Sequence, residues 1–387
     1  MVPGKGGDSE RGPTRPLQNP PVCYLPRMLK DAISLGEIAR ALVIVLRHHG
    51  DVLLASPVLA ALKLQAPKIE VDALVYDDTA PMLEGHPALS QLHVVGRKWK
   101  KEDFPSRFSL ERKLYGALRA RRYDLLLHLT EQPRGAWLAR ALGPRCSVAP
   151  VVPGRGEFWA RSFTHLYPLA RNGRRHKVEA NLDALRRIGV QPGMDERHLK
   201  FVPGDAARDR ITALLAAENI GEGGFIHIHP ASRWRFKCWT AERNAELIDR
   251  LSASHRVILT AAPDPDELAL VEQIVARTTT KPLVLAGKLQ IKELGALTER
   301  ARLFIGVDSM PMHLAAAMGT PAVALFGPSG EQEWRPWRVA HRIVASSHPC
   351  RPCGNDGCGG GKISECLTTL PVDDVYAAVQ DLLSREH

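Results

Sequence analysis

Ile305-Gly306-Val307-Asp308-Ser309-Met310-Pro311-Met312-His313-Leu314-Ala315-Ala316-Ala317-Met318-Gly319-Thr320-Pro321-Ala322-Val323-Ala324-Leu325-Phe326-Gly327-Pro328 reads as strand, polar turn, helix and strand. The apolar run Leu303–Val307 ends at an aspartate, a small polar residue follows, and the small side chains of Met312–Met318 suit a helix packed closely on a sheet. Ala322–Phe326 is then a second buried strand. A helix this short between two strands makes a βαβ unit, so the sheet is parallel.

The same rhythm extends backwards. The pattern predicts strands at Phe225–Ile228, Arg256–Thr260 and Leu283–Leu285, with helices at Ala206–Asn219, Ala241–Leu251, Asp266–Arg277 and Ile291–Arg300. An earlier set has strands at Ala41–Leu46, Val71–Val75, Leu92–Val95 and Leu125–Leu129 and helices at Val52–Leu64, Leu110–Arg122, Gly135–Leu142 and His176–Ile188. Between the sets, Gly189–Asp205 has turn residues and little periodicity, as a linker does. Two doubly wound α/β domains follow, at 41–190 and 205–371, after an N-terminal extension, 1–40, whose first 26 residues are rich in Pro, Gly and charge. A chain of 387 residues is long enough for both. No apolar run approaches the roughly 18 residues a spanning helix needs.

The net charge is +10, and the excess is confined to the first half: residues 1–200 hold 32 Lys and Arg against 20 Asp and Glu. Between Arg97 and Arg187 there are 21 basic and 8 acidic side chains, Arg119, Arg122, Arg174 and Arg175 among them. Such a field draws anionic partners, whether nucleic acid, acidic lipid or a phosphorylated substrate. Seven cysteines are too few for a disulfide scaffold. With no secretory leader in view, the reading is a cytoplasmic chain.

Ligands of doubly wound sheets bind beyond the carboxyl ends of the strands. Neither half carries G-x-G-x-x-G after its first strand, and G-x-x-x-x-G-K-[ST] is absent, which argues against dinucleotide oxidoreductases and P-loop enzymes. The first strand empties into Arg47-His48-His49-Gly50-Asp51. Asp51 stands where an N-cap carboxylate would, serving either as the cap alone or as a general base at the cleft, with His48 and His49 as competing bases. In the second half, Ser232, Arg233 and Lys237 lie in an aromatic-rich loop before a helix that opens near Thr240. That arrangement suits an anion, or else cations stacked on Trp234 and Trp239. Asp308 can accept from sugar hydroxyls and Ser309 can meet a pyrophosphate. The alternative there is a helix cap with a buried His313.

The stretch from Asp308 resembles the signature of glycosyltransferase family 9, the ADP-heptose:lipopolysaccharide heptosyltransferases. That signature runs as D-[ST]-x-x-x-H-L-A-A-A, x-G-x-P, then A-L-F-G-P. R-H-H-G-D-V-L-L-A-S-P resembles the family's N-terminal motif and S-R-W-x-F-K-x-W its phosphate loop. The likeness covers about residues 41–384, and Leu110–Asp124, the form D-S-M-P-M-H and the Cys-rich tail look most like the heptosyltransferase III branch.

The resemblance implies a GT-B fold, two Rossmann-like domains facing a cleft, with the lipopolysaccharide inner-core acceptor on the first domain and ADP-heptose on the second. It implies that the last helix, Val372–Leu383 within 372–387, crosses back to the first domain. By the same likeness Asp51 is the catalytic base, and Ser232, Arg233, Lys237, Asp308, Ser309 and His313 hold the donor. The basic field, with Arg119, Arg122, Arg174 and Arg175, then meets the acceptor's phosphates and an anionic inner-membrane surface rather than nucleic acid. No cofactor is implied. Met310-Pro311 departs from the Gly-Leu of other branches, which removes one backbone N–H.

Cys350, Cys353, Cys358 and Cys366, in the loop 348–366, could hold a structural zinc, or the loop could simply be rich in cysteine. Asp264-Pro265-Asp266 resembles a metal-binding D-x-D but reads better as a helix start.

Overall fold

The computed structural model describes residues 31–169 and 175–386. The N-terminal extension therefore lies mostly outside the described residues, as does Arg174. Among the described residues, twelve strands form two six-stranded parallel sheets. The first contains β1 Arg40–Val45, β2 Glu70–Tyr76, β3 Leu89–Val95, β4 Leu125–His128, β5 Cys146–Pro150 and β6 His165–Tyr167. The second contains β7 Phe225–His229, β8 Arg256–Leu259, β9 Leu283–Val284, β10 Leu303–Val307, β11 Ala322–Leu325 and β12 His341–Val344.

Helices of the first domain are α1 His49–Leu53, α2 Ser56–Gln65, α3 Phe104–Arg121, α4 Pro133–Leu142, α5 Gly156–Ala160 and α6 Lys177–Arg186. The second domain has α7 Asp205–Ala217, α8 Ala241–Ser252, α9 Pro265–Val275, α10 Ile291–Glu299, α11 Met310–Met318, α12 Glu331–Trp334, α13 Glu365–Thr368 and α14 Val372–Leu383.

The strand order is β3-β2-β1-β4-β5-β6 in one sheet and β12-β11-β10-β7-β8-β9 in the other. The two orders are the same doubly wound topology, and each reverses once, between β1 and β4 and between β7 and β10. A crevice forms at such a switch point because the loops leaving its two strands diverge to opposite faces. Asp51 follows β1, Ser232 to Lys237 follow β7, and Asp308 ends β10, so the candidate residues cluster at the two switch points.

Strands β1, β2 and β4 are almost wholly buried, as expected of strands covered on both faces. β5, β6 and β12 lie outside the sequence expectation: they are short or peripheral and carry Cys, Ser, Pro, His and Arg in place of an apolar run. The expected helix Val52–Leu64 is two helices broken at Leu54–Ala55. Pro57 has no N–H to donate and its ring opposes the Leu53 carbonyl, so the helix must restart with Pro57 in the first turn of α2. Pro311 fits for the same reason, in the first turn of α11, where no intrahelical donor is needed.

The domains touch along a continuous apolar cluster. Val52 and Leu53 on α1 share it with Leu314 and Ala316 on α11, Leu294 on α10 and Phe201 in the linker. Lys292 Nζ ties the domains further by donating to the carbonyls of Glu84 (2.8 Å) and Val202 (2.6 Å). The β11–β12 loop reaches the first domain, where the Trp337 ring stacks on His176 at 4.3 Å and His176 Nε2 bonds the Arg335 carbonyl at 2.9 Å.

One expectation needs correction. α14 does not cross back to the first domain: Val375, Val379, Leu382 and Leu383 are buried in the core of the second sheet. These apolar side chains recur every three to four residues, so one face of α14 is apolar, and β11, β12 and α8 cover it.

Candidate active site between the domains

α1 begins directly beyond β1. His48 is its N-cap, which places Asp51 at the third position of the first turn rather than at the cap itself. Asp51 is 9% exposed and its Oδ1 has no hydrogen-bond partner; Arg47 Nε stands 4.0 Å away. A cap alone would satisfy that oxygen through backbone N–H groups. An unpartnered carboxylate oxygen, on a side chain whose charge reaches His313 of the other domain, can instead accept a hydroxyl proton.

Across the gap stands α11. A Cβ on Gly50 would lie 3.2 Å from His313 Cδ2 and 4.0 Å from the Met310 Cα, so the absence of a side chain at Gly50 lets the two helices approach this closely. His313 is buried and its Nδ1 has no partner. Burial pushes its pKa down to about 4 against the pull of Asp308 and Asp51, so the ring is neutral at physiological pH.

The Lys237 ammonium donates to Asp308 Oδ2 at 2.6 Å. Asp308 is buried at the end of β10 and Lys237 sits in the turn after β7. Ser232 is buried and its Oγ accepts from the Trp234 N–H at 3.3 Å, while Ser309 Oγ donates to the Val307 carbonyl at 3.3 Å. Arg233 is exposed and lies over the Trp234 ring. Its charge also reaches His48 and His49, whose pKa values are held below the ordinary histidine range chiefly by burial. Trp239 is instead a core residue whose Nε1 bonds the Leu370 carbonyl. Asp51, Lys237 and Asp308 all act electrostatically on the buried His313, and Ser232 and Arg233 stand in the same turn after β7 as Lys237, so these candidate residues gather where the two domains meet.

The basic residues divide differently. β1 and β4 are parallel, with Ala41 beside Leu125, so the end of α3 meets the amino edge of the sheet. Arg119 and Arg122 lie there, about 20 Å from the Asp51 edge at roughly 3.3 Å per strand residue. They are not placed to meet an acceptor at Asp51, because a helix antiparallel to the strands delivers its last turn to the edge opposite the site. Arg175 is committed elsewhere, to Asp183 at 2.7 Å on α6. Much of the basic segment is neutralised in the same way, through Arg121 with Asp72 and Glu70, Arg134 with Glu111, and Arg187 with Asp31.

Other groups enter the site without a sequence signal. Arg97 braces the loop, donating to the Arg47 carbonyl at 3.0 Å and to Asp78 at 2.8 Å. Thr130, after β4 and so beside the first switch point, has a buried hydroxyl with no partner. Glu333 on α12 is half-buried; burial raises its pKa, Asp308 and Asp51 raise it further, and Lys177 opposes them. A cavity of about 210 Å³ opens beside Ser232 and Arg233, with Thr240, Glu242 and Glu267 on its walls. Glu267 is held at the start of α9 by the Ala262 N–H at 3.0 Å, and Asp264 caps that helix by accepting from the Asp266 N–H at 3.0 Å, as the helix-start reading expects. A lone Thr after a strand or a lone Glu in the first turn of a helix carries no motif of its own, so only the fold places them here.

Among the described residues no set of three or more His, Cys, Asp or Glu side chains is arranged to hold a metal. Cys350, Cys353 and Cys358 are exposed and Cys366 is buried. The loop is held by Arg351, which bonds the Gly327 and Ser346 carbonyls and Glu331.

Residues 111–363 match the model of glycosyltransferase family 9 (heptosyltransferase), well over half of the chain. The chain belongs to glycosyltransferase family 9. This family 9 transferase is 37% identical over 342 residues to a lipopolysaccharide heptosyltransferase 3 of Escherichia coli, covering 87% of the chain and 97% of the relative. It is 34% identical to that of strain K12, over 88% of the chain and 97% of the relative. Its fold is that of a family 9 glycosyltransferase from Veillonella parvula, with a TM-score of 0.78 at 23% identity over 92% of this chain and 99% of the other. It is also that of E. coli ADP-heptose lps heptosyltransferase II, with a TM-score of 0.70 at 20% identity over 90% and 99%. The two facing domains are thus a GT-B fold. No helix among the described residues is long and apolar enough to cross a membrane.

Proposed function

We propose that this glycosyltransferase moves L-glycero-D-manno-heptose from ADP-heptose to a hydroxyl of an inner-core heptose of lipopolysaccharide, with inversion, working peripherally at the cytoplasmic face of the inner membrane. The observation that carries the reading is the unpartnered Oδ1 of Asp51 on α1, next to Gly50, which packs directly against His313 of α11. The relatives named heptosyltransferase 3 support the donor and the class of acceptor.

Asp51 accepts the proton of the acceptor hydroxyl as that oxygen bonds to the anomeric carbon. The bond from that carbon to the ADP oxygen breaks, and ADP leaves with the electron pair. Charge then grows on the diphosphate, where Lys237, Ser232, Arg233 and the N–H groups opening α11 stabilise it. Asp308 holds Lys237 in place before the donor arrives, so little reorganisation accompanies its binding. Neutral His313 adds a ring nitrogen to the same pocket. The carboxylates Glu267 and Glu242 in the adjoining cavity suit the hydroxyls of the donor's nucleoside.

The test is ADP release by Asp51→Asn, with ADP-heptose and truncated lipopolysaccharide. Turnover near that of the unsubstituted enzyme rejects Asp51 as the base, and no ADP release by the unsubstituted enzyme rejects the donor.

A further inference from the structure

The carboxyl edge of the first sheet also carries a rim that the transfer chemistry does not use. Between β3 and α3 the chain runs Arg97-Lys98-Trp99-Lys100-Lys101, and residues 101–109 are all exposed. Phe104 and Phe108, one turn apart at the start of α3, are 80% and 60% exposed, with ring centroids 6.3 Å apart. A second exposed pair, Trp137 on α4 and Phe158 on α5, lies with centroids 4.6 Å apart.

All three helices start from carboxyl ends of strands, so both pairs belong to the edge that holds Asp51. α3 and α4 are locked together by the two-pronged Arg134–Glu111 pair, at 2.6 Å for each bond. Four large rings left in water on one edge are a surface built for contact.

The charge around the rings states what the contact is. Lys98, Lys100, Lys101 and Arg107 are exposed beside Phe104 and Phe108, and none of them has an ion pair among the described residues. Of the nearby acids, Asp103 is spent capping α3 through the Ser106 N–H at 3.2 Å, which leaves Glu102 as the exposed opposing charge. Aromatic rings interleaved with Lys and Arg on one face are the pattern of an interfacial membrane anchor: the rings enter the headgroup region while the cations meet anionic headgroups.

We infer that this rim docks the protein on an anionic phospholipid bilayer with Asp51 facing along the membrane surface. The inference rests on the reading that the acceptor is a membrane-held glycolipid, and it identifies the face that meets the lipid.

The experiment is co-sedimentation of the full chain with vesicles of phosphatidylethanolamine and phosphatidylglycerol, beside vesicles of phosphatidylcholine alone. The intact protein is expected to pellet with the anionic vesicles and to be released by salt. The pair Phe104→Ser and Phe108→Ser is expected to lower the partition coefficient by roughly tenfold or more, and Lys100→Glu with Lys101→Glu to act on the anionic vesicles only. The melting temperature and kcat/KM on a deacylated, soluble acceptor should not change in either variant. An intact protein that stays in the supernatant, or a Phe variant that pellets equally well, overturns the proposal. So does a dimer that the Phe variant dissociates, which would make the rim an interface between copies of this chain. Sedimentation reads docking even if no heptose is transferred, and transfer to the soluble acceptor reads the chemistry even if docking fails.

Discussion

Lys237 Nζ stands 2.6 Å from Asp308 Oδ2, joining the turn after β7 to the end of β10 across the switch point of the second sheet. Asp308 is 4% exposed and Lys237 is mostly covered, so the pair is only weakly screened by solvent. Lys237→Ala removes a phosphate-binding cation and strands a buried carboxylate. The donor KM is expected to rise at least tenfold, with a loss of roughly 1–3 kcal/mol of stability. Asp308→Asn, which keeps a hydrogen-bond acceptor, should cost less stability while still raising the donor KM. Denaturant unfolding and initial rates measure the two effects separately.

Gly50 and His313 supply a second test. Gly50→Val places branched carbon where 3.2 Å separates a bare Cβ from the imidazole, and so pushes α1 away from α11. Because Asp51 rides on α1, kcat should fall by roughly 10² while the donor KM changes little. Stopped-flow or coupled ADP assays resolve kcat from KM.

Arg119→Ala and Arg122→Ala should leave the acceptor KM within about twofold, since solvated groups at the amino edge make no contact with the site. Arg97→Ala should raise it, because Arg97 holds the Arg47 carbonyl in place. A large effect at Arg119 or Arg122 would place the acceptor on the opposite edge of the sheet.

Five buried histidines set an acid limit. Burial lowers the pKa values of His86, His128 and His313 to about 4, and those of His176 and His227 to about 3, from the ordinary 6.5. The folded protein therefore binds fewer protons than the unfolded chain below pH 6.5. This contribution to stability is complete above that pH and is lost as pH falls towards 4 and below, by up to roughly 1.4 kcal/mol per pH unit for each histidine. Thermal melts between pH 7.5 and 4.5 should show the midpoint steady at first and then falling steeply. At His176 protonation also has a local consequence: a ring nitrogen accepts from the Val178 N–H at 3.2 Å, and a proton there removes the cap of α6.

Gly135 tests the packing of α4 on the end of β4. A Cβ there would meet the His128 ring at 2.3–2.4 Å, and that ring is fixed by Trp159, Phe163 and the Gln132 carbonyl. Gly135→Ala is expected to cost roughly 1–3 kcal/mol, read by denaturant unfolding.

The central strands and the helix periods were legible because apolar runs such as Ala41–Leu46 and Leu303–Val307 are covered on both faces, and such runs announce themselves locally. β5, β6 and β12 were not, because they carry Cys, Ser, Pro, His and Arg in place of an apolar run. Asp51, Lys237, Asp308 and His313 could be singled out because each stands in a short motif next to a strand end. Glu333 and Thr130 could not, since neither stands in a motif, and Glu267 follows Asp264-Pro265-Asp266, a stretch that reads as a helix start.

Basic composition proved the weakest local guide, because the worth of a charge depends on what faces it. Arg121 spends its guanidinium on Asp72 and Glu70, 49 and 51 residues away in sequence, while Lys98, Lys100 and Lys101 on the rim have no ion pair among the described residues. By itself the sequence determined two parallel α/β domains and the family, and singled out three motif-borne sets of candidate site residues, all of which rest on short-range pattern. The tertiary structure alone decided which strand ends adjoin, that α14 stays on its own domain and which cations reach the cleft. Those outcomes follow from long-range pairing and from the direction in which each helix runs against its sheet, neither of which any local stretch of residues encodes.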